Sequence, residues 1–144
     1  HAVSRRVITV FGGSQKRPNL HIDDMTDLYV DLLERPASQV AGEIFNAGYQ
    51  NYTVAQLAEM VRQVVEQEYE ELRPIPIETQ PTNDIRSYHV SARKITERLG
   101  WRPRRSVEDA IRGICLAFKA GKLPNSLEDE RYMNVRVVKK SGLR

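Results

Sequence analysis

Glu43-Ile44-Phe45-Asn46-Ala47-Gly48-Tyr49-Gln50-Asn51-Tyr52-Thr53-Val54-Ala55-Gln56-Leu57 changes its hydrophobic period partway along. In Glu43 to Gly48, apolar residues fall on both sides of an extended pleat. This predicts a short strand buried between layers and ended by Gly48. Thr53 then stands at a helix start, with Gln56 three residues on, the spacing of a capping box. Val54, Leu57, Ala58, Val61, Val64 and Val65 continue at helical spacing and give one apolar face. Strand, turn and capped amphipathic helix in succession point to an α/β chain.

The flanks repeat the theme. Val7-Ile8-Thr9-Val10-Phe11 is a β-branched and aromatic run stopped by Gly12-Gly13, so a strand leads into a turn and a ligand-facing loop. From Asp24, Met25, Leu28, Tyr29, Leu32 and Leu33 recur at helical spacing, with Asp23 or Asp24 as N-cap and Pro36 as terminator. Past the central helix, the glutamates of Glu66 to Glu71 read as a solvated helix end. Pro74 to Thr79, with its two prolines, suits only an extended edge strand.

Ser87 to Val90 reads as another short strand. Ser91 caps a helix to about Leu99 that Gly100 stops, with Pro103 beyond it. Ser106 opens the next helix with Asp109 at the capping-box position, and Val107, Ala110, Ile111, Ile114 and Phe118 form its buried stripe. The tail from Gly121 is polar apart from a strand reading at Val135 to Val138. The expected class is therefore α/β, or α+β if the chain stands alone, with short strands alternating with amphipathic helices.

The chain has 144 residues, enough for one domain's core, and its composition of 40% hydrophobic and 28% charged residues is that of a soluble protein. No apolar run approaches the roughly 20 residues that span a bilayer. Cys115 is the single cysteine, so no intramolecular disulfide forms; its place in an apolar helical pattern makes it a buried thiol and suits a reducing cytoplasm. The net charge of +3 is a weak excess that would help attract phosphorylated ligands. The start, His1-Ala2-Val3-Ser4-Arg5-Arg6, has no initiator Met and no apolar signal core, and reads as cut from something longer.

Several catalytic signatures are missing. The sequence holds no GxGxxG or GxxGxxG loop, no P-loop, no CxxC and no HExxH. No tyrosine has a lysine four residues on; Tyr69 and Tyr132 are followed at that spacing by Arg73 and Arg136, which cannot give up a proton. Neither a catalytic residue nor a dinucleotide-binding residue is therefore expected here.

Three segments in order resemble one family. Val10-Phe11-Gly12-Gly13-Ser14-Gln15-Lys16-Arg17-Pro18-Asn19-Leu20-His21-Ile22-Asp23-Asp24 resembles V-F-G-D-G-x-Q-x-R-D-[FY]-[LIV]-[HY]-V-x-D of extended short-chain dehydrogenase/reductases. Ile44 to Gly48 with Tyr52 to Leu57 resembles their F-N-[LIV]-G strand and S-[LIV]-x-[ED]-L helix start. Asp84 to Ile95, Leu99-Gly100-Trp101-Arg102-Pro103 and Ser106 to Ile111 resemble the D-x-R-x-[YF] and L-G-[WF]-x-P signatures of NAD-dependent sugar-nucleotide epimerases and dehydratases. The resemblance spans about Val7 to Phe118. It implies the C-terminal part of a Rossmann-type enzyme, with residues 1–120 as its nucleotide-sugar-binding part and 121–144 as an extension. NAD or NADP is implied for the full parent and none for this chain, which by itself would be inactive.

In that family Arg17 corresponds to a ligand of the substrate diphosphate, with Gln15 and Asn19 beside it. Arg86 approaches the same group from the opposite side or forms a structural pair with Asp84. A guanidinium suits this task because it offers two parallel charge-assisted donors to a phosphate. Here the turn after Phe11 is one residue shorter than the family pattern, and Pro18 and Asn19 replace an acidic and an aromatic residue, which implies a reshaped loop.

Other clusters have plainer readings. His21 with Asp23 and Asp24 invites a metal, but spacings of two and three across a strand-to-helix junction scatter the donors, so none is expected. Trp101 reads as a plug seating the helix before it. The arginines Arg98, Arg102, Arg104 and Arg105 carry the alternative of a basic nucleic-acid-binding domain, although cations are favoured at a helix C-terminus anyway. A further alternative is a non-catalytic interaction module, with a homo-oligomer covering the apolar surface that a missing Rossmann half would leave open.

Overall fold

A computed structural model describes residues 1–142. A short helix α1 (Ala2–Arg5) precedes β1 (Ile8–Phe11), which turns through Gly12-Gly13 into β2 (Lys16–Asn19). Helices α2 (Ile22–Glu34) and α3 (Ala37–Val40) follow, then β3 (Gln50–Thr53), α4 (Val54–Glu68) and a 3-10 turn at Glu70–Leu72. The chain continues through β4 (Ile77–Gln80), α5 (Arg93–Leu99), α6 (Val107–Lys119), a second 3-10 turn at Glu130–Tyr132 and α7 (Asn134–Lys140).

Two two-stranded sheets result. β1 pairs in parallel with β4, Ile8 opposite Ile77 and Phe11 opposite Gln80. β2 pairs antiparallel with β3, Arg17 opposite Tyr52. The mixed α/β architecture is the expected one.

Both capping boxes form. The Thr53 hydroxyl accepts from Gln56 N at 3.1 Å while Gln56 Oε1 accepts from Thr53 N at 2.9 Å, and Ser106 and Asp109 repeat the exchange at α6. The amphipathic faces of α4 and α6 then meet. Ala2, Val65, Leu72, Ile75 and Cys115 are buried together, with Val61, Tyr69 and Ile111 packed around them. The Tyr69 hydroxyl donates to the Cys115 carbonyl at 3.0 Å and ties the two helices. Burial raises the Cys115 thiol pKa above its ordinary value, so it is inert packing.

A second cluster buries Leu28 of α2 with Ile95 and Leu99 of α5, and Trp101 packs against it as the expected plug. Gly100 ends α5 in the left-handed conformation at φ 68.

Five expectations are corrected. Glu43 to Gly48 forms no strand: Phe45 and Ala47 lie on the second cluster, but no ladder partner runs alongside. A short apolar run suits an extended chain; it does not supply a neighbour. Ser87 to Val90 is likewise not a ladder strand, and touches β2 through Tyr88 N to the Lys16 carbonyl, 3.1 Å. Val135 to Val138 lies inside α7, whose last turn places Lys139 and Lys140 at the end where cations are favoured. In α6, Cys115 and not Ile114 is the buried residue; Ile114 is 55% exposed. The glutamates of Glu66 to Glu71 are also not all solvated: in the last turn of α4, Glu66 accepts from Ile75 N, and Glu68 takes Arg112 and Lys119.

The strand β2 was not legible, because Pro18 argues against it. Lys16 directs its N–H to Ser87 Oγ and its carbonyl to Tyr88 N, away from β3. By the two-residue period, the N–H that Pro18 lacks would face the same outer edge, so no β3 bond is lost.

Candidate functional site

β2 and the loop Thr82 to Tyr88 meet at an open edge, where residues far apart in sequence converge. On β2, Arg17 and Asn19 share one face, opposite Tyr52 and Gln50 of β3. The Arg17 guanidinium donates through Nη1 to the Arg86 carbonyl at 2.6 Å and the Lys16 carbonyl at 2.9 Å. It also lies over the Tyr88 ring, 5.5 Å from its centre.

Asp84 joins the two arginines. Its carboxylate takes Arg86 in a fork, Nε to Oδ1 at 2.7 Å and Nη2 to Oδ2 at 2.9 Å, and the Arg86 backbone N–H at 3.2 Å. Oδ2 stands 3.6 Å from Arg17 Nη2. The structural pair Asp84–Arg86 therefore exists, and Arg17 belongs to it. Arg86 keeps 71% of its side chain exposed, so the fork stands at the surface. Such an arrangement offers charge-assisted donors to an anion with several oxygens.

Gln15 and Asn19 are placed differently. Gln15 is buried, its Oε1 accepting from Gly13 N at 2.6 Å and its Nε2 donating to the Phe11 carbonyl at 2.7 Å. It fills the inside of the Gly12-Gly13 turn. Gly12 has φ +78, and a Cβ there would meet Thr82 at 2.6 Å and the Gln15 amide at 2.8 Å. Asn19 Nδ2 donates to the Arg17 carbonyl at 2.7 Å and so props the strand that carries Arg17.

This plugged turn bears on the dinucleotide that the family resemblance implies. A pyrophosphate cradle needs free backbone N–H groups between a strand and a helix N-terminus. Here the Gly13 N–H is taken by Gln15, and β1 runs into β2 without a helix between. These residues do not fit a dinucleotide phosphate.

The remaining candidates resolve into scaffold. His21 caps α2, its Nδ1 accepting from Asp23 N at 3.1 Å, where Asp23 or Asp24 was the expected cap. Asp24 is 2% exposed and turned inward. It accepts from the backbone of Arg104 and Arg105 at 3.1 and 2.9 Å and from Arg105 Nη1 at 2.7 Å, fastening the start of α6 to α2. No group of three metal-binding side chains gathers among the described residues.

The basic stretch around Trp101 is also divided. Arg105 is spent on Asp24 and Asp27, and Arg98 on Glu43. A cleft of about 480 Å³ between α2 and the Gly100–Arg104 turn lies apart from Arg17 and Arg86; at its wall Asp31 is held by Arg35. Among the described residues, no helix is long and apolar enough to cross a membrane.

Sequence reasoning named Arg17, Arg86 and the Asp84–Arg86 pair, but not that Arg17 joins the pair. The Asp-x-Arg spacing was the available signal for Asp84. Nothing in the sequence marked Tyr88 as a neighbour of Arg17, because that contact depends on β2 being a strand.

Comparisons with known proteins bear on the fold. Residues 1–48 match the sequence model of the NAD dependent epimerase/dehydratase family. RMD from Pseudomonas aeruginosa, solved with NADPH, is similar with a TM-score of 0.66 at 16% identity, over 83% of this chain and 38% of that one. UDP-glucose 4-epimerase from Thermotoga maritima, solved with UDP-glucose, gives 0.62 at 24% identity, over 79% of this chain and 35% of that one. dTDP-glucose 4,6-dehydratase from Bacillus anthracis, in complex with NAD, gives 0.63 at 20%, over 83% and 36%. The chain thus spans well under half the length of these proteins, and at such identities the likeness is one of fold. Its first third carries the sequence pattern of the NAD dependent epimerase/dehydratase family, and its fold is similar to Rossmann-type epimerases and dehydratases.

Proposed function

We propose that this chain is the nucleotide-sugar-recognising part of an NAD(P)-dependent epimerase/dehydratase, with Arg17 and Arg86 gripping the substrate diphosphate. The observation that carries this reading is the convergence of Arg17 and Arg86, 69 positions apart, at one solvent-open edge. Two guanidinium groups on a single carboxylate leave a net positive pair facing outward, which suits a doubly charged diphosphate. Asn19 and Gln15 support it from behind, one propping β2 and the other shaping its turn. Residues 1–120 form the recognition part and 121–144 an extension.

NAD or NADP, which supplies hydride acceptance and return in such enzymes, would be held by residues outside this chain. The exposed apolar side of α2, with Ile22 at 72%, Tyr29 at 61% and Leu33 at 86%, supports a role against another layer. That layer would be a Rossmann half or a second copy of this chain. The single buried Cys115 suits the reducing cytoplasm.

Calorimetric titration with UDP-glucose and with UDP tests the reading. Binding of both is expected, weakened about tenfold by Arg17→Ala and by Arg86→Ala, the loss of one charge-assisted contact each. The wild-type chain failing to bind either ligand, or both variants binding as well as wild type, overturns it.

A further inference from the structure

We propose that Asp84 is a positioning residue: its carboxylate holds the guanidinium groups of Arg17 and Arg86 as a pair, and the pair takes a diphosphate only with that counter-ion in place. The inference rests on the diphosphate reading above and names the residue that organises that site. Asp84 Oδ1 accepts from Arg86 Nε at 2.7 Å, and Oδ2 accepts from Arg86 Nη2 at 2.9 Å while standing 3.6 Å from Arg17 Nη2. Arg17 Nη1 in turn donates to the Arg86 carbonyl at 2.6 Å. The three residues therefore form one closed unit across β2 and the Thr82 to Tyr88 loop.

Two guanidinium ions this close repel each other. A carboxylate between them offsets that repulsion before any ligand arrives and fixes the plane of each fork, so less side-chain freedom is lost on binding. The Arg86 side chain stays 71% exposed beside Tyr88, so an anion can approach it without breaking the clamp.

Counting charges alone gives the opposite expectation. An acid beside an anion site repels the anion, so its removal should tighten binding. The sign of the change therefore separates the two accounts.

The test is calorimetry of the 144-residue chain with UDP and with inorganic pyrophosphate at fixed ionic strength, in wild type, Asp84→Asn and Asp84→Glu, with folding checked by circular dichroism. Asp84→Asn is expected to bind both anions about tenfold more weakly, the scale of one charge-assisted contact. Asp84→Glu keeps the charge but moves it, and is expected to bind severalfold more weakly. Asp129→Asn, which removes a carboxylate paired with Arg131 in the C-terminal extension, is the charge control and is expected to match wild type. Unchanged or tighter binding by Asp84→Asn, or unchanged binding by Asp84→Glu, overturns the proposal.

A ligand-free readout is exchange of the Arg86 Nε–H proton with water, followed by nitrogen-15 NMR. It is expected to be slow in wild type and fast in Asp84→Asn, and equal rates in the two also overturn the proposal. A wild-type chain that binds neither anion overturns the diphosphate reading, and this measurement then decides separately whether Asp84 fixes Arg86.

Discussion

The hydrogen bonds from the Arg86 side chain hold the Asp84 carboxyl pKa down to about 2 from its ordinary 3.8, with the Arg86 backbone N–H and the nearby Arg17 charge adding to the effect. A carboxyl depressed in the folded chain favours folding above its unfolded pKa, and that contribution is lost as the pH falls through the folded value. The clamp is therefore complete at neutral pH and opens only near pH 2. Carbon-13 titration of the Asp84 carboxyl should show a midpoint near 2 in wild type, moving toward 3.8 in Arg86→Ala. A wild-type midpoint already near the ordinary value would mean that the fork is not populated in solution.

Among the elements, α4 and α6 were the most legible, because a capping box and a single apolar face describe a helix without reference to anything else. Thr53→Ala and Ser106→Ala should each lower stability by about 1 kcal/mol, with denaturant midpoints shifting at unchanged slope. No shift in either variant would show that the caps contribute nothing. Strands were read less well for a physical reason. Val7 to Phe11 and Pro74 to Thr79 were recognised from β-branched runs and prolines, and their patterns hold because β1 and β4 find each other as partners. Glu43 to Gly48 has an equally good pattern and no partner, whereas Lys16 to Asn19 has a poor pattern and is a strand through its partner β3. The site follows the same division. Arg17 and Arg86 were visible as residue types in a familiar order, but their meeting on Asp84 depends on the pairing of β2, which no local pattern encodes.

For the molecule as a whole, the two apolar sides of α2 matter most. Leu28 faces the second cluster, while Ile22, Tyr29, Val30 and Leu33 line an opposite arc that nothing in the described structure covers; Ile44 is also 83% exposed. Such a surface should drive self-association of the isolated chain. Sedimentation velocity is expected to show dimers or larger species at micromolar concentration, and the double variant Leu33→Lys with Ile44→Ser to shift them toward monomer while remaining folded. A wild-type chain that sediments as monomer throughout would remove this expectation. The parallel pairing of β1 with β4 bears on how the chain reaches this state. Ile8 lies opposite Ile77, and α2, β2, β3 and α4 all fall between the paired strands. Closing so long a loop costs entropy before any ladder bond repays it, whereas the capped helices gain from near neighbours at once. The parallel ladder is accordingly expected to be the late step in folding, after the helix that packs across it has formed.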